Sequence, residues 1–390
     1  MRIYYITRTY NVSQESADAG NIRNTYVRLL RKKYEVTVVT PGTDSQIADE
    51  EDVILVPYRS DRLQFDLLCE RSGIKEDYLD DWVDTAFKAL RNIVKEEDIV
   101  FATTGGELGC IKLAVRLKVE VACKVIINFH DPINYTTVNG RLTGGKVRIH
   151  VSRDKLLDNY IRFADLVITS SKSYREILCK RYPNLKARIC NSYFGYSKRI
   201  QTTESKPRHP VRAVYAGIFG NAQKPERFIN AIQSMRDVKL EYVAYVPRSF
   251  IISTKRYDNV IISTPKPYTE YLNYMNLHAD IGLVSLYGCE WGACVPSKIF
   301  ELINLEIPIF AILPHGDARD IIDNKYGVVA SSDSDAIQSR WQELLKEYDN
   351  YRLNMRRDKE QWYAENLIKE VYIWIEELYR QGHINETKPL

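Results

Sequence analysis

Three features of the 390 residues predict an α/β chain built from two doubly wound domains. Short apolar runs rich in β-branched residues alternate with stretches of helical periodicity, which is the sequence form of βαβ units and parallel sheets. The alternation restarts after a polar break carrying prolines. The length suits two domains at ~150 residues each.

The elements read in order as follows. Ile3–Thr7 is a strand, followed by a long polar loop and an amphipathic helix over Ile22–Tyr34. Further strand-like runs lie at Glu35–Thr40, Val53–Pro57, Ile99–Thr104, Lys124–Phe129, Leu166–Ser170 and Arg188–Asn191. Helical spacing fills the gaps at Trp82–Val94, Leu108–Leu117, Leu156–Phe163 and Tyr174–Tyr182. Gln201–Pro210 then reads as a linker. Beyond it come strands Ala213–Gly217, Leu240–Val246, Val260–Ser263, Ile281–Leu286, Ile309–Leu313 and Val328–Ala330, with helices Glu226–Met235, Tyr268–Leu277, Lys298–Leu305 and Ala336–Tyr348. A last helix over about Leu353–Tyr379 carries Trp362, Leu367, Val371, Trp374 and Leu378 as an apolar stripe. The expected domains are therefore 1–200, a linker at 201–210, 211–350, and a terminal helix at 351–390.

Composition narrows the class. At 45% hydrophobic and 27% charged residues, the chain is globular and not disordered. Its seven cysteines are odd in number and scattered, against a secreted disulfide framework and in favour of a reducing cytoplasm. No signal peptide is readable, and no apolar run approaches the ~20 residues of a membrane span.

Net charge is only +4, but it is segregated: residues 1–34 carry +5, 35–111 carry −11, 112–199 carry +12, and 200–390 carry −2. A long basic stretch suits an anionic partner such as a phospholipid surface, which would make the protein peripheral on the inner face of the cytoplasmic membrane. It equally suits a solvated face whose charges pair with the acidic segment. Nucleic acid is not expected, since no helix-turn-helix, zinc or ribonucleoprotein signature accompanies the charge.

The most informative stretch is Cys294–Leu313. Pro296 suits the first turn of a helix, leaving the amides of Ser297, Lys298 and Ile299 to face a ligand, with the helix dipole favouring a diphosphate. Glu301, one turn further, can accept hydrogen bonds from vicinal hydroxyls such as those of a ribose. Gly217 and Gly220 let backbone approach a phosphate, and Lys224 follows them as a cation. His130 ends the strand Lys124–Phe129, the place where open α/β sheets put ligands. Thr104–Gly109 (TGGELG) lacks the first glycine of a dinucleotide fingerprint and reads as a decoy. Asp333–Asp335 reads as a helix cap, not a metal motif. Cys289 and Cys294 have no second pair nearby, so no zinc site is expected.

Pro296–Glu301, with Val214–Gly220, His278–Leu283 and Pro308–Leu313 in order around it, resembles the C-terminal domain of family 4 (group 1) glycosyltransferases of the GT-B fold, in the subgroup with a Pro-Ser-Lys-x-x-Glu segment. The resemblance covers roughly residues 212–331, and is looser in the N-terminal half through Arg2–Thr7, Gly20, His130, Ala164–Ser170 and Asn191. It implies two Rossmann-like domains facing each other across a cleft, with a C-terminal helix crossing back to the first. It further implies a retaining glycosyl transfer from a nucleotide-diphosphate sugar to a glycan or lipid-linked acceptor, with no further cofactor and no metal. His130 would then touch the donor sugar near its reacting carbon, and Gly20 would let the first loop approach donor or acceptor.

Two departures stand out. A first glutamate of the family pattern falls on Ala293, with Glu290 as its only neighbouring substitute. An arginine that usually follows the first glycine falls on Ile218, leaving Lys224 as the cationic phosphate ligand. Two rival functions stay open: a non-catalytic sugar-nucleotide- or lipid-binding partner of the same fold, and a sugar-nucleotide epimerase.

Overall fold

The computed structural model describes residues 1–10, 19–42, 52–133, 137–138, 141–142, 153–202, 207–220, 222–232, 235, 237–330 and 334–386. Backbone contacts divide the chain into two units, 1–193 with 367–390, and 194–366. The change of unit falls at 193/194, so the residues just ahead of the expected linker cluster with the second unit.

The first unit runs β1 (Arg2–Ile6), α1 (Ala19–Arg31), β2 (Glu35–Pro41), β3 (Val53–Val56), α2 (Leu63–Ser72), α3 (Asp80–Leu90), β4 (Ile99–Thr104), α4 (Gly109–Val121) and β5 (Lys124–Phe129). A two-residue ladder of β6 (Thr137–Val138) with β7 (Arg141–Leu142) follows, then α5 (Arg153–Leu156), β8 (Leu166–Thr169), α6 (Lys172–Arg181) and β9 (Ile189–Asn191). Seven strands form one parallel sheet in the order β3-β2-β1-β4-β5-β8-β9. All six residues of β4 are buried, as are five of β5, because helices cover both faces of such a sheet. Tyr5 stacks on Phe101 at 5.3 Å in this core, with Tyr26 at 5.7 Å from Phe101. The Ser171 side chain caps α6 by accepting the Tyr174 amide at 3.2 Å. The helix expected over Leu156–Phe163 is instead the end of α5 and two 3-10 turns, separated by Tyr160 at φ −111°.

The second unit repeats the scheme: β10 (Val211–Ala216), α7 (Arg227–Ile232), β11 (Val238–Val243), α8 (Arg248–Thr254), β12 (Val260–Ser263), α9 (Tyr268–His278), β13 (Ile281–Ser285), α10 (Lys298–Asn304), β14 (Ile309–Ile312), α11 (Asp317–Ile322), β15 (Gly327–Ala330), α12 (Ser334–Lys346) and α13 (Tyr348–Asp358). Its six strands are parallel in the order β12-β11-β10-β13-β14-β15. One core cluster joins Tyr215, Phe228, Tyr242, Phe250, Phe310 and Trp341.

The single terminal helix expected from the apolar stripe is broken. After α13 a 3-10 turn covers Lys359–Trp362, Tyr363 is extended, and α14 (Ala364–Glu386) begins. The break follows from pairing: the Tyr196 amide donates to Trp362 O at 3.0 Å, and the Ala364 amide donates to Tyr196 O at 3.0 Å. Trp362 consequently packs on Phe300 in the second unit. From Leu367 on, α14 belongs to the first, where the Tyr372 hydroxyl donates to Leu29 O at 2.5 Å and Glu376 pairs with Lys33. Among the described residues no helix is long and apolar enough to cross a membrane.

Part of the segregated charge is paired internally. Lys112 bridges Glu76 at 2.8 Å and Asp80 at 2.6 Å, Arg116 pairs with Asp84, and Arg153 pairs with Glu70 and Asp77. For these residues of the basic stretch, pairing with the acidic segment is what the structure shows.

Candidate functional site

In an open parallel sheet, the crevice for a ligand lies beyond the carboxyl ends of the strands where the strand order reverses. In the first unit that point lies between β1 and β4. There β1 delivers Arg8 and Thr9, β4 delivers Gly105, Gly106 and Glu107, and β5 delivers His130 and Asp131. The His130 amide donates to Thr104 O at 2.8 Å, and the Ser170 hydroxyl donates to His130 O at 2.6 Å, so the loop after β5 is tied to both neighbouring strands.

Glu107 is fully buried. One of its carboxylate oxygens accepts the Gly105 amide at 3.1 Å and lies 3.9 Å from Arg8 Nε. Burial pushes its pKa up, but the Arg8 and Arg23 guanidinium groups outweigh that and hold it below the ordinary value. Arg23, buried on α1, bonds Thr9. A Cβ on Gly105 would stand 2.9 Å from Arg23 Nη2, so a side chain there would displace the end of Arg23, while it would meet a Glu107 oxygen at 3.6 Å and an Asp131 oxygen at 3.7 Å in ordinary contact.

His130 is half-buried at this edge. Burial, then Arg23 and Arg8, depress its pKa well below the ordinary value, so the imidazole is neutral at physiological pH. It can therefore hydrogen-bond a substrate without bringing a charge. Thr104–Gly109, set aside in the sequence as a failed dinucleotide fingerprint, thus forms part of this edge. Arg8, Arg23 and Glu107 were missed. The positional rule that selected His130, the first residues beyond a strand's carboxyl end, also marks Arg8 and Glu107. Gly20, expected in the loop ahead of the first helix, is already inside α1.

In the second unit the order reverses between β10 and β13. Gly217 follows β10 at φ +150°, a conformation that favours glycine. Gly220 closes a turn, its carbonyl accepting the Lys224 amide at 2.8 Å and the Gln223 amide at 3.2 Å. Lys224 has φ +40°, and its ammonium lies 3.7 Å from the centre of the Tyr287 ring. The Tyr287 amide donates to Ala222 O at 2.6 Å, which joins this turn to the loop after β13.

The start of α10 corrects part of the expectation. Ile299 is buried and its amide is already committed to Pro296 O at 3.1 Å, because the residues ahead of the helix form a tight turn; Ile299 is therefore no ligand donor here. Ser297 precedes α10 without a capping side-chain bond. Lys298 turns its ammonium to Glu301 at 3.0 Å and over the Tyr271 ring at 4.0 Å, so its charge is answered within the helix. Glu301 is 7% exposed, and burial together with the Glu301 charge pushes the Tyr268 and Tyr271 phenols up. Glu301 lies one turn into the helix, as the spacing predicts. Ala293 is buried at the end of the 3-10 turn Cys289–Ala293. That turn's backbone includes Glu290, whose side chain lies outside the described residues, as does Asp333.

Among the described residues no group of three or more His, Cys, Asp or Glu side chains is arranged to hold a metal.

Residues 22–190 match the family model described as Glycosyltransferase Family 4. The first unit is a family 4 glycosyltransferase domain. On that domain the chain is a transferase of the glycosyltransferase class. The match covers the half in which the sequence resemblance was looser, and ends before the Pro296–Glu301 segment. No curated protein matches the chain.

Solved structures extend the likeness to both units. Sucrose-phosphate synthase from Thermosynechococcus elongatus superimposes with a TM-score of 0.68 at 15% identity, over 98% of this chain and 99% of that one. Anabaena HepE in complex with UDP gives 0.68 at 12% identity, over 97% and 100%. The pneumococcal O-GlcNAc transferase GtfA in complex with UDP and GlcNAc gives 0.66 at 12% identity, over 97% and 99%. The glycosyltransferase domain thus sits in a chain with the GT-B fold.

Proposed function

We propose that the chain moves a sugar from a nucleoside-diphosphate sugar to a glycan or lipid-linked acceptor, with retention of anomeric configuration, in the cytoplasmic assembly of a cell-surface polysaccharide or glycolipid. The observation that carries the reading is the second unit's reversal point. The Gly217–Lys224 turn follows one flanking strand and the Ser297–Glu301 segment follows the other, in a chain whose first unit is a family 4 glycosyltransferase domain. The crystallised relatives holding UDP, UDP-glucose and UDP with GlcNAc support a nucleotide sugar as donor.

In this reaction the bond from the sugar's anomeric carbon to the diphosphate breaks and its electron pair leaves with the diphosphate. The acceptor oxygen bonds to that carbon, and the acceptor proton passes to the leaving phosphate. Lys224 stabilises the charge that grows on the diphosphate, and it does so without a resident metal. Glu301 binds the ribose hydroxyls. Neutral His130 donates or accepts one hydrogen bond at the sugar.

A panel of UDP-, GDP- and ADP-sugars, followed for nucleotide release and for glycosylated product with and without EDTA, tests the proposal. Nucleotide binding without turnover on any donor favours the non-catalytic reading, to which the buried Ala293 in place of a carboxylate lends support. Attachment to an anionic membrane belongs to this reading only through basic side chains left outside the ion pairs described above. Co-sedimentation with anionic and neutral vesicles at two salt concentrations tests it, and equal or absent binding to both removes it.

A further inference from the structure

Two cations share one aromatic ring beside the second unit's reversal point. Lys224 Nζ lies 3.7 Å from the centre of the Tyr287 ring, and the Arg227 guanidinium lies 5.0 Å from the same centre. Neither has a carboxylate within ion-pairing distance among the described residues. Other basic side chains of this unit do: Lys298 reaches Glu301 at 3.0 Å, Arg212 reaches Glu241 at 2.7 Å, and Lys266 reaches Glu270 at 2.8 Å. Like charges around one ring repel each other, and a cation–π contact worth about 0.5–1 kcal/mol at a half-exposed site does not replace a counter-ion. Burial holds the Arg227 pKa below its ordinary value, against the Tyr287 phenol and the Glu226 carboxylate, which act to raise it.

The backbone builds this arrangement on purpose-suited geometry. The Lys224 amide closes the turn onto Gly220 O at 2.8 Å, the Arg227 amide donates to Lys224 O at 3.2 Å, and the Tyr287 amide donates to Ala222 O at 2.6 Å. Two bonds within the turn and one from the loop after β13 thus bring both cations and the Tyr287 ring together, a few residues after Gly217. Ile218, which stands where the resemblance places an arginine, is 59% exposed and supplies no charge.

We infer that Arg227 is the second cation of the diphosphate site, gripping with Lys224 the diphosphate of a nucleoside-diphosphate sugar and supplying the charge absent at Ile218. The inference rests on the nucleotide-sugar reading above. Its chemistry is that of the guanidinium fork, which bonds two phosphate oxygens at once where an ammonium acts as a point charge.

The test is calorimetry on the full chain with UDP, GDP and ADP, and by competition with the matching nucleosides. Arg227→Gln should lose about 10–100-fold in affinity for whichever nucleoside diphosphate the wild type binds, the range for one charge-assisted hydrogen bond, while the nucleoside's affinity is unchanged. Arg227→Lys keeps the charge and the packing stem without the fork, so it should bind the diphosphate at intermediate strength; it carries the test by itself if the glutamine variant does not fold. Unchanged diphosphate affinity, or an equal loss for nucleoside and diphosphate, overturns the role of Arg227 alone. A wild type that binds no nucleoside diphosphate overturns the nucleotide-sugar reading and this inference with it.

Discussion

Replacing Arg153 by methionine removes a charge from the interior of the first unit while keeping most of the side chain's length. Arg153 is fully buried. Its guanidinium bonds both Glu70 oxygens at 2.5 and 2.8 Å, lies 3.3 Å from Asp77, and donates to Gly106 O at 3.1 Å. Without it, two buried carboxylates lose their cation, and breaking a buried pair from one side costs about 3–5 kcal/mol. At ~2–4 °C per kcal/mol for a folding unit of this size, melting should fall by roughly 6–20 °C.

The pH dependence has a definite sign. Burial has pushed the Asp77 carboxyl up to about 7, with Arg153 holding it down, so loss of Arg153 raises it further. The folded state then keeps a proton that the unfolded chain releases near the ordinary carboxylate value of ~3.9, and stability falls as pH rises from there through the folded pKa. The wild type stops losing stability once pH passes about 7, whereas the variant goes on losing it. The deficit of Arg153→Met should therefore be larger at pH 8 than at pH 5, with the increase confined to pH above about 7. Circular-dichroism melts of both proteins at the two pH values measure it. Equal melting at the higher pH, or a deficit that does not change with pH, refutes the argument.

Three further outcomes are expected. Glu301→Gln should weaken nucleotide binding about 10–100-fold, because a charge-assisted bond to the ribose is lost; calorimetry showing unchanged affinity removes Glu301 from the site. His130→Ala should lower kcat about 10²–10³-fold with little change in KM, by analogy with removing one directed donor, whereas a lower melting temperature with normal kcat means that the histidine only packs. Gly282→Ala should destabilise by about 1–3 kcal/mol through overpacking, since a Cβ there would lie 2.4 Å from Leu302 Cδ2 on buried α10. Combined with Leu302→Ala in thermal melts, the double variant should lose less than the sum of the two single losses, and strict additivity counts against the clash.

How much of this was legible before any fold was known depends on the range of the interaction. Strands such as Lys124–Phe129 and Ile281–Ser285 are buried on both faces, which writes them as continuous apolar runs, and the helices between them repeat their apolar residues within a few positions. Those signals are local, so the alternation and its restart after residue 210 were readable. The same holds for the positions of Gly217, Lys224 and Glu301, which depend on distance from a strand end or a helix start.

Where a position depends on partners far along the chain, the sequence was silent or misleading. The stripe from Leu353 to Tyr379 looks like one helix, but pairing of Tyr196 with the 362–364 segment breaks it. Glu107 acquires its meaning from Arg8 and Arg23, and Lys112 from Glu76 and Asp80, none of them sequence neighbours. The Ile299 amide looked available until the turn at Pro296 engaged it. By itself the sequence determined two parallel α/β sheets and the strand ends where chemistry belongs, because apolar burial and turn chemistry act over short stretches. Which charges meet there was decided only by the tertiary structure, because a charge is answered by whatever group the fold brings within a few ångströms, however distant along the chain.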